Sequence, residues 1–494
     1  MLRNFFIFLL LVFFAGVLRF SYLGEWSFGF DELFTITETK IYFGEMPVPD
    51  EYLKNGKIKP EETQLYRLPR MIFASYFVHW FDYKLFGENE FGSRFLMAVL
   101  GTLNVGVIFL LSRPLFGFAN ALILSLLFLF LPEHILQSQN NRFYIQSFFS
   151  NSVVLLLGYY VVMRRSITAT FLLAPMAILM LLFNTFNIVI WCSLFGAVIT
   201  DMFFARKSDG KNLTRVDIKI ILLLLLWSIL LFVILFFYVM PFANSWNQSA
   251  NWGYSSFHAV LSFINIIGWS MFLFSVLGSC ILFLRIRDCG NGYWFFCVLC
   301  CGFAVFVLPL KITYNSQYGI IFIFPFIVSA SIFIREVYNL ISQSTIPLKH
   351  VLGVIWVCAS LLLGLPSLFS YYQDGGRPNN RAAFQYVADN WHEGDRLTGT
   401  VMGAAQYYIP DKMPKIPLHY EPTEAIKELQ TTLDQNIGGD GRLWIVILSS
   451  RGGIDEDLRR WLGQNATFER KFSKRRFDYA ENNIEIFLAP PKTP

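Results

Sequence analysis

The sequence predicts an all-α polytopic membrane bundle of about eleven transmembrane helices, followed by a small C-terminal soluble α/β domain. Three observations predict it. Of 494 residues, 55% are hydrophobic and only 15% charged, with a mean hydropathy of +0.47, a balance that places the chain in lipid. The apolar residues gather into runs such as Ile218 to Met240 and His258 to Leu284, far longer than a strand or an ordinary core helix. Beyond Tyr372 the composition changes to that of a soluble domain.

In order, the predicted spans are residues 5–23, 92–112, 118–133, 143–163, 167–184, 186–205, 217–240, 259–285, 293–310, 318–336 and 350–371. The first run, Phe5 to Leu18, follows Arg3 as in a signal peptide, but no small-x-small cleavage site precedes Arg19, so it reads as a retained helix. Threading from a cytoplasmic N-terminus puts Arg113, Arg164, Arg165, Arg206, Lys207, Lys211, Arg215, Lys219, Arg285, Arg287, Arg335 and Lys349 on one side, as the positive-inside rule requires. Leu68 to Phe86, broken by His79, Asp82 and Lys84, would invert every later loop as a span, and is read as an interfacial helix. The expected localisation is multi-pass in a bacterial inner membrane, with the C-terminal domain extracytoplasmic. The net charge of +5 follows from this topology and implies no nucleic-acid partner.

The domains read as 1–372, a transmembrane unit whose outer loop 24–91 carries candidate chemistry, and 373–494, an extracytoplasmic α/β domain. In the latter, helices are expected at Asn380 to Trp391, Thr423 to Leu433 and Glu456 to Leu462, a turn at Gly394-Asp395, and a buried strand at Leu443 to Leu448. The seven cysteines lie in or beside apolar segments. Cys297-x-x-Cys300-Cys301 has redox or metal spacing, but without an acidic or imidazole neighbour these thiols read as small hydrophobes.

Two polar clusters face the predicted outer side. Asp31 and Glu32 stand among aromatics just after the first span. Partial burial raises a carboxylate's pKa toward that of a base able to take a proton from a hydroxyl; alternatively, the pair caps the following helix. The second cluster, Glu133 to Tyr144, offers Arg142 as a bidentate phosphate donor, with Gln139, Asn141 and Tyr144 to orient sugar hydroxyls. Arg67, Arg70, Arg94 and Lys311 are further candidates, Lys311 being basic against the topological bias. Asp31, Glu32, Glu133 and His134 supply the residue types of a divalent-metal site, without diagnostic spacing.

In this order the pieces resemble the GT-C superfamily of polyprenyl-phosphate-sugar-dependent glycosyltransferases, which includes protein O-mannosyltransferases, aminoarabinose transferases and galacturonosyltransferases. Phe30-Asp31-Glu32 stands where the family places its catalytic acid. Leu85 to Arg94 looks like the family's Phe-Gly-x-x-Glu-x-x-x-Arg segment, and Ser138 to Tyr144 like its Ser-Gln-x-x-Arg-x-Tyr signature. Gln317-Tyr318, followed by Phe324-Pro325, is similar to a segment where the family shows Arg-Tyr; here Gln317 replaces the Arg, and Lys311 is the substitute candidate. Arg381 to Asp395 looks like the start of the family's outer α/β domain.

The resemblance implies inverting transfer from a polyprenyl-phosphate-linked sugar to an extracytoplasmic lipid, glycan or protein, with no cofactor required. It casts Asp31 as base, and Glu32 as its tuner or an acceptor contact. It casts Arg142, Tyr144, Gln139, Asn141, Lys311, Arg94, Arg67, His134 and Tyr318 as donor-binding residues. The rival reading is a transporter or lipid flippase. Against it stand the one-sided clusters and the lack of a half-chain duplication.

Overall fold

The computed structural model describes residues 2–47, 73–208, 214–247, 255–310, 316–374, 377–400, 402–412, 416–417, 426–427, 429–432, 441–448, 456–473 and 483–490. Two compact units divide the chain. The first comprises residues 1–21, 39–87 and 93–368; the second comprises 22–38, 88–92 and 369–494.

The helices of the first unit begin with α1 (Leu2–Phe20), a helix α2 (Phe30–Tyr42) whose start belongs to the second unit, and α3 (Phe73–Phe86). They continue with α4 (Phe95–Phe116), α5 (Phe118–Phe130), α6 (Pro132–Ser138), α7 (Tyr144–Arg164), α8 (Ile167–Phe183), α9 (Ile188–Ser208) and α10 (Arg215–Asn247). The series ends with α11 (Ser256–Ile267), α12 (Trp269–Leu284), α13 (Asn291–Val307), α14 (Ile323–Gln343), α15 (Lys349–Leu362) and α16 (Leu365–Asp374), whose residues from Phe369 on belong to the second unit. Among the described residues eight helices are long and apolar enough to cross a membrane, up to ten if two bent pairs count as spans, and α8 is a shorter apolar helix. Each predicted span falls on one of these helices or on two consecutive ones. The chain is an integral, multi-pass membrane protein.

Two predicted spans are not straight. Residues 259–285 divide into α11 and α12, set at 98° about Gly268, whose φ of +88° lies in the region that glycine enters without a Cβ clash. Residues 118–133 run into α6 through a 62° bend at Pro132. Proline has no N–H, so the carbonyl four residues back, on Phe128, loses its helical donor. The guanidinium of Arg19 takes that place, donating from Nη2 to Phe128 O at 3.1 Å, and from Nη1 to Ala15 O at 3.2 Å. A buried cation in one helix thus satisfies the break in another.

Small residues bring α12 and α14 together. A Cβ on Gly278 would lie 2.0 Å from Ser329 O, and Ser329 Oγ donates to Ser275 O at 2.8 Å. Without a hydrophobic driving force between helices in lipid, such close approach and interhelical hydrogen bonds carry the packing.

The second unit holds a five-stranded sheet of order β2-β1-β3-β5-β4, from β1 (Arg396–Gly399), β2 (Ile416–Pro417), β3 (Leu443–Leu448), β4 (Thr467–Phe472) and β5 (Ile484–Ala489). β1 pairs in parallel with β2 and β3, whereas β5 is antiparallel to β3 and β4. The predicted strand Leu443–Leu448 is central and buried throughout, as a continuous apolar run requires. Helices α17 (Asn380–Asp389), α18 (Met402–Tyr408) and α19 (Glu456–Asn465) complete it. Leu458 and Leu462 of α19 pack on Ile445, Ile447 and Phe487. In the predicted Thr423–Leu433 helix, residues 426–427 and 429–432 are helical, and the remainder lies outside the described residues.

The predicted turn is present, with Gly394 at φ +88°. Burial alone would raise the Asp395 carboxyl, but bonds from Arg442, the His392 N–H and the Trp444 indole N–H hold it at about 2. It is a structural anion, binding the turn to β3.

Candidate functional site

In the second unit, α2 begins with the two predicted acids, and the structure gives them different tasks. Gly29 is the residue before the helix and Glu32 the third within it, the spacing of a capping box. Glu32 Oε2 accepts from Gly29 N–H at 2.9 Å and lies 3.4 Å from Arg377 Nη1. Glu32 is 2% exposed, hydrogen-bonded to the backbone and facing the Arg377 guanidinium. Asp31, the second residue of the same turn, is only half-buried.

The backbone before Asp31 is tied to the C-terminal domain of its own unit. Ser27 Oγ donates to Pro378 O at 2.7 Å, and Asn380 Nδ2 donates to Phe28 O at 2.8 Å. Phe28 N–H donates to the Tyr408 hydroxyl, which donates in turn to Glu90 Oε1, both at 2.8 Å. Arg381 closes the set, 2.5 Å from Glu90 and donating to Gly24 O at 3.1 Å. Arg377→Ala is expected to destabilise the protein by about 3–5 kcal/mol, because removing one partner leaves Glu32 buried with its main counter-charge gone. Glu32→Gln, which keeps a capping side chain, is expected to cost less than half of that. Thermal unfolding in detergent micelles measures both.

In the first unit, α6, the turn after it and the start of α7 carry the donor-type residues. Gln139 donates to the carbonyls of Arg19 and Ser21 at 3.0 and 2.7 Å, satisfying acceptors at the end of α1. Asn141 donates to the Tyr83 hydroxyl at 2.9 Å. Arg142 is half-buried, with its guanidinium carbon 4.9 Å from the centre of the Phe143 ring and 5.8 Å from that of Tyr144. Tyr144 packs edge-on to Tyr318 at 5.8 Å. The structure therefore brings Arg142, Tyr144 and Tyr318 into one aromatic-walled cluster, with Asn141 held from α3. Arg94, fully buried, stands immediately before α4. Arg67, Arg70 and Lys311 lie outside the described residues.

His134 is fully buried between Phe128 and Phe148, its Nδ1 2.8 Å from Arg19 Nη2. Arginine only donates, so Nδ1 is the unprotonated nitrogen and His134 is neutral. Its neighbours are these two rings and the Arg19 guanidinium. Glu133 accepts from Gln137 Nε2 at 2.7 Å. A guanidinium on the imidazole nitrogen does not suit a divalent cation there. Among the described residues no three His, Cys, Asp or Glu side chains form a metal-holding group.

Helix α3, read from the sequence as interfacial, matters more than its sequence suggests. It buries His79 and Asp82 completely and Tyr83 to 7% exposure, on the i, i+3, i+4 face. Both Asp82 oxygens accept from Leu96 N–H, at 3.3 and 3.2 Å, capping α4 beside Arg94. Burial pushes the Asp82 carboxyl up to about 8, against the lowering effect of the Leu96 N–H. A folded-state pKa above the unfolded one means that stability falls as pH rises toward about 8. Between pH 6 and 9 the expected loss is ~3 kcal/mol. Asp82→Asn is expected to flatten that profile, as read by thermal unfolding across the range.

Sequence reasoning missed Arg377, Arg19 and Asp82 as site-forming groups. Arg377 follows two glycines and precedes a proline at the start of the soluble domain, a basic residue in a turn setting. For Arg19 the available signal was Pro132, whose missing donor calls for a substitute.

No family model and no curated protein matches the sequence. Solved structures do match in fold. ArnT from Cupriavidus metallidurans, in the apo state, aligns over 100% of both chains with a TM-score of 0.52 at 14% identity. The same protein bound to undecaprenyl phosphate aligns over 98% of this chain and 99% of its own, with a TM-score of 0.54 at 14% identity. The Archaeoglobus fulgidus oligosaccharyltransferase, in the apo form, aligns over 94% of this chain and 73% of its own, with a TM-score of 0.57 at 11% identity. A further structure of that oligosaccharyltransferase is a complex with zinc and sulfate. From its first helix to its C-terminal sheet, the chain shares the fold of these solved structures.

Proposed function

We propose that the chain is a membrane glycosyltransferase that moves a sugar from a polyprenyl-phosphate carrier to a hydroxyl of an extracytoplasmic lipid, glycan or protein, with inversion. The observation that carries this reading is the likeness, over nearly the whole of both chains, to ArnT bound to undecaprenyl phosphate. The residues supply the chemistry this reaction needs. Asp31 takes the proton from the acceptor hydroxyl as its oxygen attacks the anomeric carbon, an alcohol being a poor nucleophile without a positioned base. The bond from that carbon to the phosphate oxygen breaks, and the polyprenyl phosphate leaves with the electron pair. Arg142 stabilises the charge growing on the phosphate, with Lys311, Arg94 and Arg67 as further cations for it. Tyr144, Tyr318 and Asn141 orient the sugar. The helices keep the polyprenyl tail in lipid.

Mass spectrometry of surface glycans and lipids from a deletion strain tests the reading. One sugar is expected to disappear, and to return with the wild-type gene but not with an Asp31→Asn gene. An unchanged glycan and lipid inventory would overturn it.

A further inference from the structure

At the end of the helical unit where Arg113, Arg285 and Arg335 cluster in the sequence-based topology lies a small polar cavity that the proposed transfer does not use. It measures about 200 Å³, several times the ~30 Å³ share of one water molecule, and its lining includes Asn120, Arg285, Asn291, Trp294, Arg335 and Glu336. All belong to the first unit.

Charge decides what the cavity suits. Arg285 Nη1 lies 3.0 Å from Glu336 Oε1, and the two charges offset one another. Arg335 makes a single hydrogen bond among the described residues, from Nη1 to Phe116 O at the C-terminal end of α4, at 3.3 Å. One positive charge is left over, on a group with five N–H donors in a fork that matches a phosphate.

Beside Arg285 the surface is apolar: Phe283 is 55% and Leu284 81% exposed. An anion site bordered by lipid-facing side chains suits a phosphate attached to acyl chains better than a free ion.

We propose that this cavity binds the phosphate of an anionic lipid headgroup, with Arg335 as the main contact. The charges match, one surplus cation against one phosphodiester.

The test uses full-length protein, purified in non-ionic detergent and stripped of lipid, with bound lipid counted by native mass spectrometry. Phosphatidylglycerol is titrated against diacylglycerol, which has the same chains and no phosphate, and inorganic phosphate is offered separately. Wild type is expected to retain phosphatidylglycerol and not diacylglycerol. Arg335→Gln is expected to weaken retention by about tenfold or more. Equal retention of the two lipids overturns the proposal, as does wild-type retention by the variant. Binding of inorganic phosphate without phosphatidylglycerol overturns the lipid as the source. Should Arg335→Gln fail to fold, the comparison of phosphatidylglycerol with diacylglycerol on the wild-type protein decides alone.

Discussion

Asp31→Asn is expected to lower sugar transfer by about 10²- to 10⁴-fold, the range that a positioned general base supplies. The substitution keeps the size of the side chain and removes its charge and its ability to take a proton. Glu32 does not replace it. That carboxylate is 2% exposed, bonded to the Gly29 N–H and facing Arg377, so it is not available to a hydroxyl. Expression, monodispersity and binding of the polyprenyl-phosphate sugar are expected to stay at wild-type levels in the variant. A transfer rate within a few-fold of wild type would remove Asp31 from the base role.

Arg142→Ala is expected to reduce kcat/KM for the donor by about 10²- to 10³-fold, the loss typical of one donor to a developing oxyanion. A phosphate is charged before transfer and gains charge as the sugar leaves, so both KM and kcat are expected to move. Arg142→Lys keeps the charge without the planar fork and is expected to recover only part of the loss. Its stacking against Phe143 and Tyr144 depends on that plane as well. Donor titration at saturating acceptor separates the two parameters; an unchanged donor dependence in Arg142→Ala would count against the phosphate contact.

The membrane architecture was legible because a bilayer-spanning helix requires a length of apolar sequence that nothing else in a protein requires. The strand Leu443–Leu448 was legible for a related reason, as an unbroken apolar run. β4 was not, since its residues are largely exposed and include Glu469, Arg470 and Lys471, with no apolar run to mark a strand. The 98° turn at Gly268 was also missed, because a glycine inside an apolar run looks the same whether or not its φ is positive. At the candidate site the acids and Arg142 were visible as residue types out of place at a lipid boundary. The division of labour between Asp31 and Glu32 was not. It depends on Arg377, some 345 positions away in sequence, and only folding places that guanidinium beside one of the two carboxylates. Likewise Gln139 and His134 look like sugar ligands in a polar stretch, yet the carbonyls and guanidinium they meet come from α1.

The meeting of Arg19 with the carbonyl left open by Pro132 makes two distant positions depend on one another. Alanine at 132 would return an amide to Phe128 and take one acceptor from Arg19, which keeps Ala15 O and His134 Nδ1; alanine at 19 would leave the Phe128 oxygen without that donor. The cost of losing Arg19 is accordingly expected to be smaller in a Pro132→Ala background, a coupling that a thermodynamic cycle across the pair measures.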